Sequence, residues 1–324
     1  MNQEQSQCLQ LQSNSAGIEQ AVEVLCSGGT VAIPSETVYG LGADATNALA
    51  VQKIFTAKNR PTGHPLIVHI GNIDSARSFS SDFNVVAEIL GSTFWPGPLT
   101  LLVKRSSKVI DDITGGRDTV ALRVPAHKTF QLVLQRFAQI GSGAIAAPSA
   151  NIYGSVSPTS AQHVLSDMGH LIDAVLDGGN CEVGIESTII DCTVDPPAIL
   201  RQGAITLELV NAALQNTGII ATEEVDGDSR APGMKLSHYA PRALVKLFET
   251  RELLFSHAQK CMENEVHYVS IFGHDDRELY ARELYSMLRD ADALQPEEIL
   301  VLLPESIDIG TAIRDRLFKA AAPH

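Results

Sequence analysis

Eight side chains in this sequence could do chemistry together: Thr37, Lys58, Arg60, Arg123, Ser149, Asn151, Ser187 and Arg201. Each sits at or just beyond the end of an apolar segment. Three arginines and a lysine in one cleft would oppose a polyanion, because guanidinium forks match phosphate and carboxylate oxygens. Serine, threonine and asparagine beside them would orient a small polar substrate. The sequence shows no Ser–His–Asp arrangement with suitable surroundings, no cysteine in a motif and no metal cage. What remains is positioning and charge neutralisation. That is the protein's share of phosphoryl or nucleotidyl transfer, where the substrate itself attacks phosphorus. The competing reading gives each charged group its own structural ion pair.

The elements that must position these groups can be read from pattern. Thr30–Ile33 is an apolar strand stopped by Pro34, which removes a ladder donor. Ser35, Glu36, Thr37, Tyr39 and Gly40 follow, a plausible ligand site beyond a strand end or a turn whose hydroxyls cap the next element. Ser13-Asn14-Ser15 precedes a helical stripe of Ile18, Ala21, Val22 and Leu25. Ala48–Lys58 reads as a helix, Leu66–Ile70 as a buried strand, and Val85–Leu90 as helical. Trp95-Pro-Gly-Pro98 is a turn before the strand Leu99–Val103. Thr119–Pro125 is a strand in which Arg123 interrupts an apolar run, so its charge needs an anion. Ala144–Ala147 ends in Pro148-Ser149-Ala150-Asn151, a second strand-then-proline. A helix to Met168, the strands Ala174–Leu176, Ile189–Cys192 and Ile199–Arg201, and a helix Thr206–Asn216 complete this unit. Gly40-x-Gly42-x-x-Ala45 fits a dinucleotide fingerprint only formally, with no acidic residue about 20 positions on.

Residues 216–242 read as a linker with glycine and proline punctuation, yet Met234-Lys-Leu-Ser-His238-Tyr239 is rich in chemistry. From residue 243 strands and helices alternate, as in a small parallel-sheet domain. The 324 residues therefore divide into 1–215, a linker or lid at 216–242, and 243–324. A net charge of −14 and only 5% aromatics oppose broad nucleic-acid binding. Five scattered cysteines without a C-x-x-C pair suit a reducing compartment. With no signal-peptide pattern and no membrane-length apolar run, a cytoplasmic protein is expected.

Several motifs occur in order: Pro34-Ser-Glu-Thr-Val-Tyr-Gly40, Lys58-x-Arg60-Pro with Pro65-Leu-Ile-Val-His69, and Phe94-Trp-Pro-Gly-Pro-Leu-Thr100. Arg123-Val-Pro125, Ser149-Ala-Asn151 and Glu186-Ser-Thr188 follow. Together they resemble the YrdC/Sua5 family. Pro232-Gly-Met-Lys235 and His238-Tyr-Ala-Pro241 resemble its longer, two-domain branch. The resemblance runs from about residue 15 to the end of the chain. It implies an α/β fold: a twisted mixed sheet with helices and a concave cavity, joined to a small Rossmann-like domain. It also implies synthesis of L-threonylcarbamoyladenylate and pyrophosphate from L-threonine, bicarbonate or CO2, and ATP, for the t6A modification of tRNA.

On this resemblance Thr37, Tyr39, His69, Arg123, Ala147 and Ser187 would hold threonine. Arg60, His64, Thr119, Ser149, Ser157, Arg201 and His238 would contact ATP, with Lys58 and Asn151 completing that set. His64 stands where asparagine is more usual. Lys58 and Arg60 are the expected catalytic cations, and Mg2+ would be held by the phosphates rather than by the protein. A t6A threonylcarbamoyltransferase would receive the product, with no membrane and no obligatory direct tRNA contact. The alternative is a double-stranded RNA-binding or ribosome-maturation protein using the same concave face.

Overall fold

In the computed structural model the described residues are 8–223 and 239–322. His238 and most of the expected linker lie outside them. The strands of the N-terminal unit, in chain order, begin with β1 (Leu9–Gln12), β2 (Val31–Ile33), β3 (Gly40–Asp44) and β4 (Ile67–Ile70). They continue with β5 (Ser80–Asp82), β6 (Leu99–Arg105), β7 (Thr119–Arg123) and β8 (Ala144–Ala146). The last four are β9 (Ala174–Asp177), β10 (Thr188–Asp191), β11 (Ala198–Arg201) and β12 (Thr222–Glu223). They form one mixed sheet in the order β1-β9-β2-β3-β8-β4-β7-β6-β10-β11-β12, with β5 on β6.

The sheet's two faces follow from the twofold alternation of side chains along a strand. Val68, Ile70, Val120, Leu122, Leu101 and Val103 point into the main core. The alternate positions Ile67 and His69, Ala121 and Arg123, and Thr100 and Leu102 take the other face. Register aligns them: His69 lies beside Arg123 in the parallel pair β4–β7, and Ile189 beside Thr100 in the parallel pair β6–β10. The polar positions His69, Arg123 and Thr100 thereby line up across three neighbouring strands, with Ile189 of β10 beside Thr100.

Three differences from the sequence expectations bear on the site. Gly40–Asp44 is a strand, antiparallel to β2, rather than the continuation of a ligand loop. At Gly42 a Cβ would lie 2.8 Å from Ile145 Cγ2, so glycine there allows close strand packing and not dinucleotide binding. The helix Lys128–Ile140, absent from the expectations, buries Phe130, Val133, Leu134 and Phe137 and supplies a wall of the hollow. Finally, β12 pairs with β11, so the N-terminal sheet runs past residue 215 to Glu223.

The C-terminal unit is a three-stranded parallel sheet, β13 (Leu244–Phe248), β15 (Glu298–Leu302) and β14 (Tyr268–Ile271), with β15 in the centre. Leu300 faces the helix Arg251–Glu263. Ile299 and Val301 face the helices Arg277–Ala293 and Ile309–Ala321. The same two helices pack against the first unit. At Gly184 (φ 79) a Cβ would lie 2.3 Å from Arg282 Cα, so the chain before β10 touches helix backbone directly. No helix among the described residues is long and apolar enough to cross a membrane.

Candidate active site

One hollow collects the chemistry. Its lining includes Thr37, Arg60, His69, Arg123, Ala147, Ser149, Ser187 and Arg201, all expected from sequence, together with Ser35, Phe130, Glu186 and Tyr239. Its empty volume is about 600 Å3, solvent at the mouth included.

Arg123 is 4% exposed. Its guanidinium donates to Glu36 Oε1 (2.6 Å), Thr37 Oγ1 (2.9 Å) and the Gly97 carbonyl (3.3 Å). Burial alone would push the Glu36 carboxyl up, but the Arg123 charge and hydrogen bond outweigh it and hold it below the ordinary carboxylate value. Arg123 thus has the structural partner that one sequence reading gave it, and it also lines the hollow. Ser35 is spent on the turn itself, donating to the Val38 carbonyl at 2.6 Å and accepting from the Thr37 and Val38 amides.

His69 stacks on Phe130 with ring centroids 5.0 Å apart. Burial first, and the nearby Arg123 charge second, lower its pKa to about 3, so the imidazole is neutral at physiological pH. Its Nδ1 is buried without a hydrogen-bond partner. Among the described residues four buried side-chain polar atoms are in that condition, and three belong to expected site residues: Arg60 Nε, His69 Nδ1 and Asn151 Oδ1. Buried polar atoms are normally satisfied, so the two on residues lining the hollow, Arg60 Nε and His69 Nδ1, point to a ligand.

On the opposite wall Arg201 donates from Nε to the Ser187 carbonyl and from Nη2 to Ser187 Oγ, both at 3.0 Å. Ser187 Oγ shares a further hydrogen bond with Thr100 at 2.7 Å. Arg60 donates to the Pro65 carbonyl (3.1 Å) and lies over the Tyr153 ring, 5.4 Å from its centroid. Burial lowers the Arg60 pKa to about 10, which still leaves it cationic.

Other expected residues take different places. Lys58 does not line the hollow. Its ammonium is buried and donates to the carbonyls of Ser149 and Asn151, 2.5 Å each. The left-handed Asn59 (φ 50) ends the helix Ala48–Lys58 and fixes the turn into Arg60. In this structure Lys58 therefore anchors the loop that presents Ser149. Asn151 belongs to the same scaffold, its amide donating to the Ile152 and Ser155 carbonyls at 2.8 and 2.7 Å. Tyr39 is in the core: its phenol donates to the Gly179 carbonyl (2.7 Å) and accepts from the Gly178 amide (3.2 Å), and it is not part of the hollow's lining. Ser157 donates to Glu186 Oε1 at 2.6 Å behind the wall. His64 packs edge-on to Tyr153, 5.6 Å between centroids, beside Arg60. Thr119 begins β7 beside Lys104, four residues and roughly 13 Å along the strand from Arg123.

Phe130, Glu186 and Tyr239 carry no site role in the sequence reading, and Glu36 enters it only within the polar stretch after Pro34. Glu36 and Glu186 stand inside quoted motifs, and a carboxylate beside a buried arginine was the available signal. Both carboxylates are committed to arginines. The hollow's donor set therefore does not fit a protein-held divalent ion. Among the described residues, the one His/Cys/Asp/Glu group close enough to share a metal is His257, Cys261 and Glu298 in the C-terminal unit. There Glu298 already pairs with His257 (2.7 Å), and Lys246 lies 3.8 Å away.

Residues 23–203 match a family described as "Telomere recombination", and residues 205–322 match one described as "Threonylcarbamoyl-AMP synthase, C-terminal domain". The chain is 39% identical to the threonylcarbamoyl-AMP synthase of Pyrococcus abyssi, with 91% of each chain covered. It is 36% identical to that of Bacillus subtilis, covering 96% of this chain and 95% of the relative. The crystal structure of P. abyssi Sua5 complexed with L-threonine superposes with a TM-score of 0.88 at 36% identity, covering 97% of each chain. Two matched domains in the same order, at this identity over nearly the full length, place the chain in the Sua5-type threonylcarbamoyl-AMP synthase family.

Proposed function

We propose that the chain condenses L-threonine, CO2 or bicarbonate, and ATP into L-threonylcarbamoyladenylate, releasing pyrophosphate. The observation that carries this reading is the convergence of Arg60, Arg123 and Arg201 with a neutral His69 on one hollow. Threonine fits the Arg123 side. Its carboxylate would take the guanidinium edge and the Thr37 hydroxyl, and its amine and hydroxyl would meet His69 Nδ1 and the strand end at Ala147. The threonine-bound P. abyssi structure supports placing the amino acid in this fold.

The nucleotide would lie on the Arg60, Ser149 and Arg201 side, reaching toward His64 and Thr119. Threonine's amine adds to CO2 with loss of a proton, giving a carbamate. A carbamate oxygen then attacks the α-phosphorus, the bond from that phosphorus to the β-bridging oxygen breaks, and pyrophosphate leaves. Arg60 and Arg201 would offset the charge that grows on the phosphates. Mg2+ would enter with ATP. The carbamate is short-lived in water, so a buried hollow helps to retain it.

The product would pass to a threonylcarbamoyl-transferring partner acting on tRNA. Because the enzyme hands on a small molecule, an acidic chain is no obstacle. The test is pyrophosphate release by the purified protein with threonine, bicarbonate and ATP, each omitted in turn, with the adenylate identified by mass spectrometry. Release that persists without threonine would refute the proposal.

A further inference from the structure

The C-terminal unit supplies part of the wall behind the hollow, through side chains unrelated to the linker. Arg316, on the helix Ile309–Ala321, is fully buried. Its Nε donates to Glu186 Oε2 at 2.8 Å and its Nη2 to the Gln202 carbonyl at 2.7 Å. Tyr285, from the helix Arg277–Ala293, donates to the same Glu186 oxygen at 2.7 Å. Glu186 immediately precedes Ser187, and Gln202 immediately follows Arg201. One guanidinium thus ties together the segment entering β10 and the segment leaving β11. These are the two segments that bring Ser187 and Arg201 into the hollow and against each other.

We infer that the C-terminal unit completes the active site, and that Arg316 is the positioning residue through which it does so. The inference rests on the synthase reading of the hollow. The packing leaves little slack for another arrangement. Gly203 would place a Cβ 2.4 Å from the Thr188 amide, and Gly184 one 2.3 Å from Arg282 Cα. The segment before β10 is also held from the other side, its Val183 amide donating to the Glu36 carbonyl at 2.7 Å. A shift of the two C-terminal helices would therefore move Glu186, Ser187 and Arg201 relative to Arg123. Arg316 touches no reacting atom in this scheme. It acts by fixing the spacing between the groups that do.

The experiment uses the full chain carrying Arg316→Met, Arg316→Lys, Tyr285→Phe or Gly184→Ala. Threonine and ATP affinities are measured by titration, alongside the KM and kcat of pyrophosphate release and the folded fraction by circular dichroism. For Arg316→Met we expect both KM values to rise roughly tenfold and kcat/KM to fall by up to roughly a hundredfold, the loss that a displacement of about 1 Å at a reacting centre can cause. Arg316→Lys keeps the charge on Glu186 without bridging to Gln202 and recovers part of the loss. Gly184→Ala leaves Arg316 intact yet pushes the helix away, and shows the same rise. If Arg316→Met does not fold, Tyr285→Phe and Gly184→Ala carry the test. Affinities and KM values all within about twofold of the parent, with kcat falling only as the folded fraction does, would overturn the inference. A parent chain without threonine-dependent release instead refutes the synthase reading, and the titrations still judge Arg316.

Discussion

Replacing Lys58 by methionine separates two roles that sequence alone confounds. The side chain is 1% exposed, and its ammonium holds the Ser149 and Asn151 carbonyls. Methionine is close in length and apolar, so the volume is kept while both carbonyls lose their donor. A buried polar group left without a partner costs roughly 1–3 kcal/mol, so two cost about 2–6 kcal/mol. Part of this is offset, because burial first and the Arg60 charge second hold the lysine pKa well below its ordinary value, and methionine carries no such penalty. The net loss is about 2–4 kcal/mol, which lowers the melting temperature by roughly 4–16 °C at the slope expected for a large domain. Scanning fluorimetry reads this directly. Kinetics with ATP and threonine varied separately should show both KM values rising, because the anchored loop carries Ala147 on one side and Ser149 on the other. An unchanged melting temperature combined with a rise in the ATP KM alone would show Lys58 facing the phosphates, and the anchoring account would be wrong.

Three further outcomes are expected. Arg123→Met leaves Glu36 buried and unpaired and should destabilise by about 3–5 kcal/mol, whereas Arg123→Met with Glu36→Gln should recover most of the stability but no threonine binding by calorimetry; recovery of binding would remove Arg123 from the site. Burial raises the Glu186 pKa, but the Arg316 and Arg201 charges win and hold it at about 2, below its unfolded value of 4.5. Ionised Glu186 therefore stabilises the fold fully above about pH 4.5, and that contribution, on the order of 3 kcal/mol, is lost as pH falls toward 2. Glu186→Gln should flatten the pH dependence of urea unfolding across that window, and an unchanged slope would contradict the pairing. Arg60→Ala should cut pyrophosphate release by roughly a hundredfold while threonine still binds, as for loss of a transition-state charge partner; near-parental turnover would remove Arg60 from the chemistry.

Much of the scaffold is legible locally. Short apolar runs ended by Pro34 and Pro148, the asparagine-capped helices, and the β/α alternation after residue 243 depend only on neighbours a few positions apart. The helix Lys128–Ile140 was equally legible from Phe130, Val133, Leu134 and Phe137 at helical spacing, though the expectations omit it. The strand Gly40–Asp44 was not, because its glycine and alanine positions answer to the packing of β2 and β8 on either side.

The sequence by itself determined which residue types are available: three arginines, a lysine, and hydroxyls at the ends of apolar segments, in an order that a family resemblance could interpret. Only the tertiary structure decided their duties. Arg123 meets Glu36 across 87 positions, Lys58 turns inward to a loop more than 90 positions away, and Arg316 reaches Glu186 across 130. Those contacts depend on the order of strands in the sheet and on how the second unit seats against the first. A buried charge takes whichever counter-charge or carbonyl the packing brings within reach, and chain order does not encode which one that is.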